Sequence, residues 1–260
     1  MSESPVIRTA RQIKKQLKLL LHAGTKYECP LCGYRSRDLA PIGHDYEVLR
    51  RYKVVGAARR RGGCYRCGAY DRDKLVYLYL RDGLQIFSPE KKNYRILHIA
   101  PSHAIASRLH AHGFAGYVAG DLFTKGYHYP DYVREMNVLR LPFEDETFDL
   151  VLCNHVLEHI EDDRRAMREI YRVMKCGAEA ILQVPLSGIL EKSLEDPALK
   201  SEEERARAFG QRDHVRIYGR DYFERLGEVG FRVEEKDLSA AYPRCGLNPG
   251  ERLTIALKTP

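Results

Sequence analysis

The hydrophobic and polar residues of this chain alternate differently in its two parts. Beyond about residue 95, short apolar runs of strand length are separated by segments in which apolar residues recur at helical spacing. The clearest runs are 95–100, Gly116–Asp121 and Phe148–Cys153. Continuous apolar runs of this length are typical of parallel strands that are covered on both faces. The pattern therefore predicts an α/β fold for this part of the chain.

The first 25 residues contain one amphipathic segment. We predict a helix over 7–21, with Gly24 as its stop signal. We expect its apolar stripe to pack on the body of the protein, and contact with a membrane or RNA is the alternative. The apolar positions are Ile7, Ala10, Ile13, Leu17, Leu20 and Leu21, and the basic ones are Arg8, Arg11, Lys14, Lys15 and Lys18.

Two Cys-x-x-Cys pairs follow the helix, and each is directly followed by glycine. The first pair is Cys29 and Cys32, and the second is Cys64 and Cys67. Because Zn²⁺ prefers four thiolates in a tetrahedron, we predict a structural zinc site in a small zinc-ribbon-like module. Four free thiols or a redox pair are the alternatives, although a redox pair is expected in a βαβ context that is missing here.

The charge of the chain is concentrated at its beginning. Residues 1–75 contain 17 Lys/Arg and 7 Asp/Glu, a balance of +10, whereas the whole chain of 260 residues carries +7. This asymmetry indicates an anionic partner, such as nucleic acid, a nucleotide or a phosphorylated glycan, or else a solvated basic face. The longest apolar run near the start is 19–21, far short of a membrane span, so we expect a cytoplasmic protein without membrane contact.

The segment 141–160, LPFEDETFDLVLCNHVLEHI, combines a turn, a buried strand and the start of the next element. It resembles the central segment of class I S-adenosylmethionine-dependent methyltransferases, close to the type 11 group. The resemblance covers 93–260 and implies a seven-stranded Rossmann-like sheet of order 3-2-1-4-5-7-6, in which strand 7 is antiparallel. Because 88–93 is polar and turn-rich, we divide the chain into a zinc module, 1–90, and a methyltransferase domain, 91–260.

The resemblance also implies a site for S-adenosylmethionine at the carboxyl ends of the strands. Asp121 would accept hydrogen bonds from the ribose, and Asn137 would contact the adenine. The first turn departs from the family, because it lacks the usual acid and glycines. Without the glycines, it lacks their freedom to take a positive φ. The predicted cofactor-binding residues are His98, Ala100, Ser102, Asp121, Asn137 and Asn154.

Histidines near the predicted cofactor site are candidates for catalysis. His155 and His214 are candidate general bases, and a structural role for His155 is the alternative. With Glu158 and His159, His155 could instead bind metal, but this spacing arises readily by chance. We predict that Glu158 and His159 begin the helix after the fourth strand. Gly177 would end that helix, and 178–184 would be the fifth strand.

The loop 209–219 concentrates polar and charged side chains, and Arg216 and Tyr218 are candidates for binding the substrate. We expect methyl transfer to a polar small-molecule or glycan-type acceptor. RNA is an alternative acceptor, because the zinc module is basic. A catalytically inactive binding protein is a further alternative, because the first turn is altered, and a redox thiol protein is the last.

Overall fold

The computed structural model of the chain describes residues 5–124 and 128–259. Its N-terminal part begins with a long helix and continues through short strands and a short helix to a third helix, which is largely buried. These elements are α1 (Pro5–His22), β1 (Ala23–Glu28), β2 (Arg35–Ser36), β3 (Ala40–Ile42), α2 (Glu47–Arg51), β4 (Val54–Val55), β5 (Arg60–Gly63) and α3 (Asp71–Leu78). A π-helical turn, Tyr79–Gly83, extends α3, and a 3-10 turn, Pro89–Lys91, leads to the sheet.

The rest of the chain alternates strands and helices, as the apolar pattern predicts. Its elements are β6 (Arg95–Ile99), α4 (His103–His112), β7 (Gly116–Asp121), β8 (Val133–Glu135), β9 (Phe148–Cys153), a 3-10 turn (Leu157–His159), α5 (Asp163–Val173), β10 (Met174–Ile181), β11 (Leu186–Ser187), β12 (Leu194–Glu195), α6 (Glu202–Phe209), β13 (Arg216–Ile217), α7 (Asp221–Val229), β14 (Phe231–Lys236) and β15 (Leu253–Lys258).

Seven of these strands form one mixed sheet of order β14-β15-β10-β9-β6-β7-β8. Read from the β8 edge, this is the predicted order 3-2-1-4-5-7-6. Five neighbouring strands are parallel, namely β8, β7, β6, β9 and β10. The strand β15 is antiparallel to both β10 and β14. Ile181 of β10 pairs with Leu152 on one side and with Ile255 on the other. The predicted Rossmann-like methyltransferase fold is confirmed.

Each face of the sheet is covered by a different part of the chain. Because strand side chains alternate, Leu97 and Val151 face the helices α5 and α7, whereas Ile96 and Leu152 face the other way. That second face packs against α4 and against Leu75, Val76 and Leu80 of the N-terminal part. The N-terminal part therefore completes the hydrophobic core of the sheet. The division of the chain at about residue 90 stays a prediction.

The apolar stripe of α1 does not pack on the body of the protein, so that prediction is wrong. The helix ends at His22, before Gly24, and the isoleucines and leucines of its predicted stripe are 49–73% exposed. Helical spacing identifies the apolar face of a helix but not whether a partner covers it. Within the described ranges, no helix combines the length and the apolar character needed to cross a bilayer.

The segment after β9 also differs from its predicted boundaries. Glu158 and His159 lie on the 3-10 turn, and α5 begins only at Asp163. The helix ends at Val173 and passes directly into β10, so Gly177 lies inside that strand rather than at a helix end. On this turn Glu158 is buried, and Arg216 donates to carbonyl oxygens that a continuing helix would use internally.

Buried charges attach the segment between β10 and α7 to the start of α5. Asp163 accepts hydrogen bonds from the Tyr218 hydroxyl at 2.7 Å and from Arg225 Nη1 at 2.9 Å. Arg216 donates to Glu195 at 2.9 Å. Asp163 and the two arginines are buried, so each of these charges depends on its partners, whereas Glu195 is partly exposed to water.

The substitution Asp163→Asn should lower the free energy of unfolding by about 3 kcal/mol, because it leaves the buried guanidinium groups undercompensated. Urea unfolding monitored by circular dichroism measures this loss. Glu228→Gln is the matched control, because Glu228 also pairs with an arginine, Arg164, at 2.8 Å but on the surface. It should leave stability unchanged, and equal effects of the two substitutions would contradict the prediction.

Candidate functional site

A cleft of about 410 Å³ lies where β6 and β9 end. The carboxyl ends of parallel strands form one wall, which is where open α/β sheets bind ligands. The start of α3, from the N-terminal part of the chain, forms the opposite wall. The lining residues are Cys67, Gly68, Tyr70, Arg72, Asp73, Val76, His98, Ala100, Ser102, His103, Ala104, Ile105, Asn154, His155 and Gln183.

The turn after β6 shapes the floor of this cleft. Ala100 takes a left-handed conformation, with φ +47°, although it is not a glycine. Its N–H donates to the carbonyl oxygen of Gly120 at 2.8 Å, which ties the turn to β7. The turn therefore adopts the positive φ that the lack of glycine argued against, and it does so at the cost of local strain.

Three buried polar atoms of the cleft have no hydrogen-bond partner among residues 5–124 and 128–259. They are Oγ of Ser102, Oδ1 of Asn154 and Nε2 of His155. Ser102 occupies the N-cap position of α4, but its hydroxyl does not cap the helix. Buried polar groups in folded proteins are nearly always paired, so unpaired atoms that line a cleft indicate a polar ligand.

His98 and Asp121 lie beside this floor on neighbouring strands. His98 is buried, its Nδ1 is 3.1 Å from the Tyr117 hydroxyl, and burial lowers the pKa of His98 to about 3. Asp121 ends β7 at the same edge of the sheet, and partial burial raises the pKa of its carboxyl group. His98 lines the cleft, whereas Asp121 is not among its lining residues.

Asn137 lies apart from the cleft, in an exposed turn after β8. Its Oδ1 accepts a hydrogen bond from the backbone N–H of Leu139 at 2.9 Å. This oxygen is the atom that was expected to contact adenine. The contact of Asn137 with adenine stays a prediction.

His155 connects the cleft to a group of buried ionisable side chains. It takes a left-handed conformation, with φ +57°, and its N–H donates to the Gln183 carbonyl at 2.7 Å. Its Nδ1 lies 3.4 Å from Nη1 of Arg72 and 3.4 Å from Oε1 of Glu158. Burial lowers the pKa of His155, so its ring is neutral at neutral pH.

Behind His155, further from the cleft, two more histidines surround Glu158. Burial opposes ionisation of Glu158, but the neighbouring histidines hold its pKa at about 2. Burial likewise opposes the charged form of His159, yet the bond to Asp213 raises the pKa of His159. Burial lowers the pKa of His214 to about 4. Of the two candidate bases, the structure brings His155 to the cleft, and His214 does not line it.

Parts of this chain are similar to known proteins. Residues 102–182, which include Ser102, Asn154 and His155 of the cleft, match the family model described as a methyltransferase domain. The match covers less than a third of the 260 residues, and over that segment this chain is similar to the family.

Two curated relatives match shorter pieces. The demethylmenaquinone methyltransferase of Lactiplantibacillus plantarum is 44% identical over 50 residues, which are 19% of this chain and 21% of that protein. An uncharacterized protein of Methanocaldococcus jannaschii is 50% identical over 48 residues, 18% of this chain and 21% of that protein. The chain thus spans about a fifth of these relatives' length.

A solved structure resembles a larger share of the chain. The S-adenosylmethionine dependent methyltransferase from Mesorhizobium loti is 17% identical and has a TM-score of 0.46. The alignment covers 70% of this chain and 99% of that one.

Arg216 and Tyr218, the candidates for substrate binding, lie inside the protein rather than along the cleft of the methyltransferase domain. Arg216 donates to the carbonyl oxygens of Leu157 and Ile160 and, at 2.9 Å, to that of Glu161. It therefore holds the turn that carries Glu158 and His159. Sequence spacing could not distinguish this interior role from a substrate contact, because an arginine serves either purpose.

The four cysteines of the N-terminal part converge on one point. The sulfurs of Cys29 and Cys67 are 3.7 Å apart, and those of Cys32 and Cys64 are 3.6 Å apart. Four thiolates bound to Zn²⁺ at about 2.3 Å in a tetrahedron would be about 3.8 Å from one another. The glycine after each pair turns with a positive φ, so this geometry fits a zinc module.

The wall opposite the sheet was not predicted, because it comes from a distant part of the sequence. Tyr70, Arg72 and Asp73 form it at the start of α3, immediately after the second Cys pair. The charged residues clustered at the start of this helix were the sequence feature that could have pointed to this wall. The N–H of Tyr70 donates to the Asp73 carboxylate at 2.8 Å, which fixes this end of the helix.

Glu251 is a further buried carboxyl group between the N-terminal part and the methyltransferase domain. Arg60 Nε donates to Asp71 at 2.6 Å, whereas its Nη2 is 3.7 Å from Glu251. The guanidinium group of Arg60 therefore pairs mainly with Asp71. Burial, reinforced by the negative charge of Asp71, raises the pKa of Glu251 to about 7.

Cys64→Ser should remove one zinc ion per chain and lower the melting temperature, because the cysteines share a core with the sheet. Metal analysis by mass spectrometry and a thermal melt measure the two effects. Cys176→Ser is the control, since Cys176 is exposed and far from the cluster in sequence. Zinc content that is the same in the wild type and in Cys64→Ser would rule out the zinc site.

Glu251→Gln should change how stability depends on pH. Because the folded pKa of Glu251 exceeds its unfolded value, its contribution is present at low pH and is lost as the pH rises through about 7. Relative to the variant, the wild type should lose about 2 kcal/mol between about pH 5.5 and 8. Urea unfolding at several pH values measures this difference. Glu203→Gln, on the surface, should follow the wild type, and parallel curves for all three proteins would refute the assignment.

Proposed function

We propose that this chain is an S-adenosylmethionine-dependent methyltransferase that acts on a polar small-molecule or glycan-type acceptor. The observation that carries the proposal is the cleft at the ends of β6 and β9. Six of its 15 lining residues lie in the segment that matches the methyltransferase domain family, and it contains buried polar atoms without partners among the described residues.

The residues of the cleft floor fit the cofactor. Ala100, Ser102 and Ala104 have small side chains that allow a close approach to the backbone, and Ser102 and Asn154 offer unpaired polar atoms for its methionine end. Asp121 would accept hydrogen bonds from the ribose hydroxyls. When bound, S-adenosylmethionine supplies a methyl group on a positively charged sulfur, which is already a good leaving group.

The protein's own contribution would then be to orient the acceptor and to remove a proton. His155 is suited to the second task, because its ring is neutral and its Nε2 is unpaired beside the cleft. Once protonated, the ring would lie 3.4 Å from Oε1 of Glu158, whose negative charge stabilises the imidazolium. Alignment of the two reactants supplies the rest of the rate enhancement.

A second cavity supports a small acceptor. It has a volume of about 170 Å³, lies at the same edge of the sheet and shares Gln183 with the cleft. Its polar lining includes Ser187, Arg220 and Arg252, which suit hydroxyl or anionic groups.

RNA is the alternative acceptor, and the exposed basic face of α1 favours it. Arg8, Lys14, Lys15 and Lys18 all lie on the surface of this helix. Binding of RNA through several phosphates would weaken steeply with salt, so a salt titration of RNA affinity separates this alternative from a small acceptor.

Calorimetric titration with S-adenosylmethionine and S-adenosylhomocysteine tests the proposal. We expect the wild type to bind both compounds, and Asp121→Ala to weaken binding at least tenfold, or about 1.4 kcal/mol, by removing the ribose contact. Asp131→Ala is the control, because Asp131 is exposed in the turn before β8. Its affinity should equal that of the wild type.

The same titration identifies the non-enzymatic alternative. If a folded, zinc-loaded wild type binds neither compound at millimolar concentration, the altered first turn does not hold the cofactor. The methyltransferase proposal would then be abandoned in favour of an inactive binding protein.

A further inference from the structure

A second group of potential metal ligands lies near the cleft, apart from the four cysteines. Glu158, His159 and His214 each offer one ligand atom, and these atoms all lie within 4.8 Å of one another. Glu158 and His159 are neighbours on the 3-10 turn after β9, whereas His214 comes from the loop before β13. We call this group the buried Glu–His cluster.

The carboxylate of Glu158 is the least satisfied group in this cluster. The residue is 1% exposed, and neither carboxylate oxygen has a hydrogen-bond partner in the part of the chain that the structure describes. The nearest imidazole nitrogens are 3.4 Å away in His155 and 4.0 Å away in His159. A buried carboxylate is costly unless it is paired or coordinates a metal ion, so a cation at this point would satisfy it.

His159 is oriented as histidine ligands of metals usually are. Its Nδ1 lies 3.1 Å from a carboxylate oxygen of Asp213, while its Nε2 faces Glu158. A carboxylate that accepts the proton on one ring nitrogen leaves the other nitrogen free to bind a metal. The cluster therefore already contains the supporting carboxylate.

His214 completes the group from the opposite side. Its ring packs edge-on against that of His159, with centroids 4.6 Å apart, and the residue is 4% exposed. The two segments are fastened together, since the N–H of Val215 donates to the Glu158 carbonyl at 2.9 Å. Arg216 holds the same turn through the carbonyl oxygens around it. These bonds keep the three ligands close before any ion arrives.

We propose that Glu158, His159 and His214 bind one divalent transition-metal ion. Two imidazoles and one carboxylate are a ligand set found for zinc in sites that keep an open position, and for iron and related metals. The set contains no thiolate, so the site differs in chemistry from the four-cysteine site. His155 lies next to Glu158 and lines the cleft, which brings the ion near the cleft.

The role of the ion rests on the proposed methyltransferase function, whereas its binding does not. A site with three protein ligands keeps coordination positions for water or for a polar atom of a second molecule. Near the cleft, such a position could hold a polar group of the acceptor.

Metal analysis of the full chain tests the binding. After saturation with Zn²⁺ and removal of the excess by dialysis, the wild type should retain two zinc ions per chain. Glu158→Gln and His214→Gln should each retain one, because the four-cysteine site remains. Glu203→Gln and His110→Gln, which alter exposed residues of the same types, should retain two.

Calorimetric titration of Zn²⁺ into protein with a filled cysteine site measures the affinity of the second site. Asp213→Asn should weaken it by about 10- to 100-fold, because Asp213 orients His159 rather than binding the ion. One zinc ion in the wild type, or undiminished binding in Glu158→Gln, would overturn the proposal.

Mn²⁺ tests the site without any substitution, in case a variant fails to fold. Mn²⁺ prefers oxygen and nitrogen ligands over thiolates, so it should enter the buried Glu–His cluster of wild type that holds zinc only at the four-cysteine site. Electron paramagnetic resonance should then detect couplings to imidazole nitrogens, and a spectrum of hexaaqua Mn²⁺ alone would refute the site. Because cofactor binding is measured separately, failure of the methyltransferase proposal and failure of the metal site give different results.

Discussion

The apolar contact between the N-terminal part and one face of the sheet is the constraint on which the structure depends. Leu75, Val76 and Leu80 lie in one buried apolar cluster with Ile96 and Leu152, to which α4 also contributes. A fully buried leucine or valine contributes about 1.5–3 kcal/mol, so a few such side chains account for a large share of a domain's stability. The same contact brings the start of α3 over the strand ends, and the cleft exists only because both walls are present.

Much of the sheet could be predicted from the sequence because its signals are local. The run Phe148–Cys153 is a strand of just that length in the structure, and Asp121 ends β7 as expected. The order of the strands followed from the resemblance, since periodicity alone does not determine which strands are neighbours.

The parts that could not be predicted depend on contacts between distant segments. Arg216 has a side chain of the kind that binds substrates, but its partners are carbonyl oxygens of a turn far away in the sequence. The apolar stripe of α1 could be identified in the sequence. The sequence did not show that the described part of the protein leaves this stripe uncovered. In the cleft, His155 was identified by its place after β9, and Arg72, which faces it, could be found only in three dimensions.

The position of β15 in the sheet has a consequence for how the chain folds as it is synthesised. β14 is made first, but β15 lies between β14 and β10, so β14 has no place in the sheet until β15 has left the ribosome. Until then the edge of β10 is unpaired, and an open strand edge is a site of aggregation. The nascent protein should therefore be most dependent on chaperones during this interval, and slower growth at low temperature should improve its recovery.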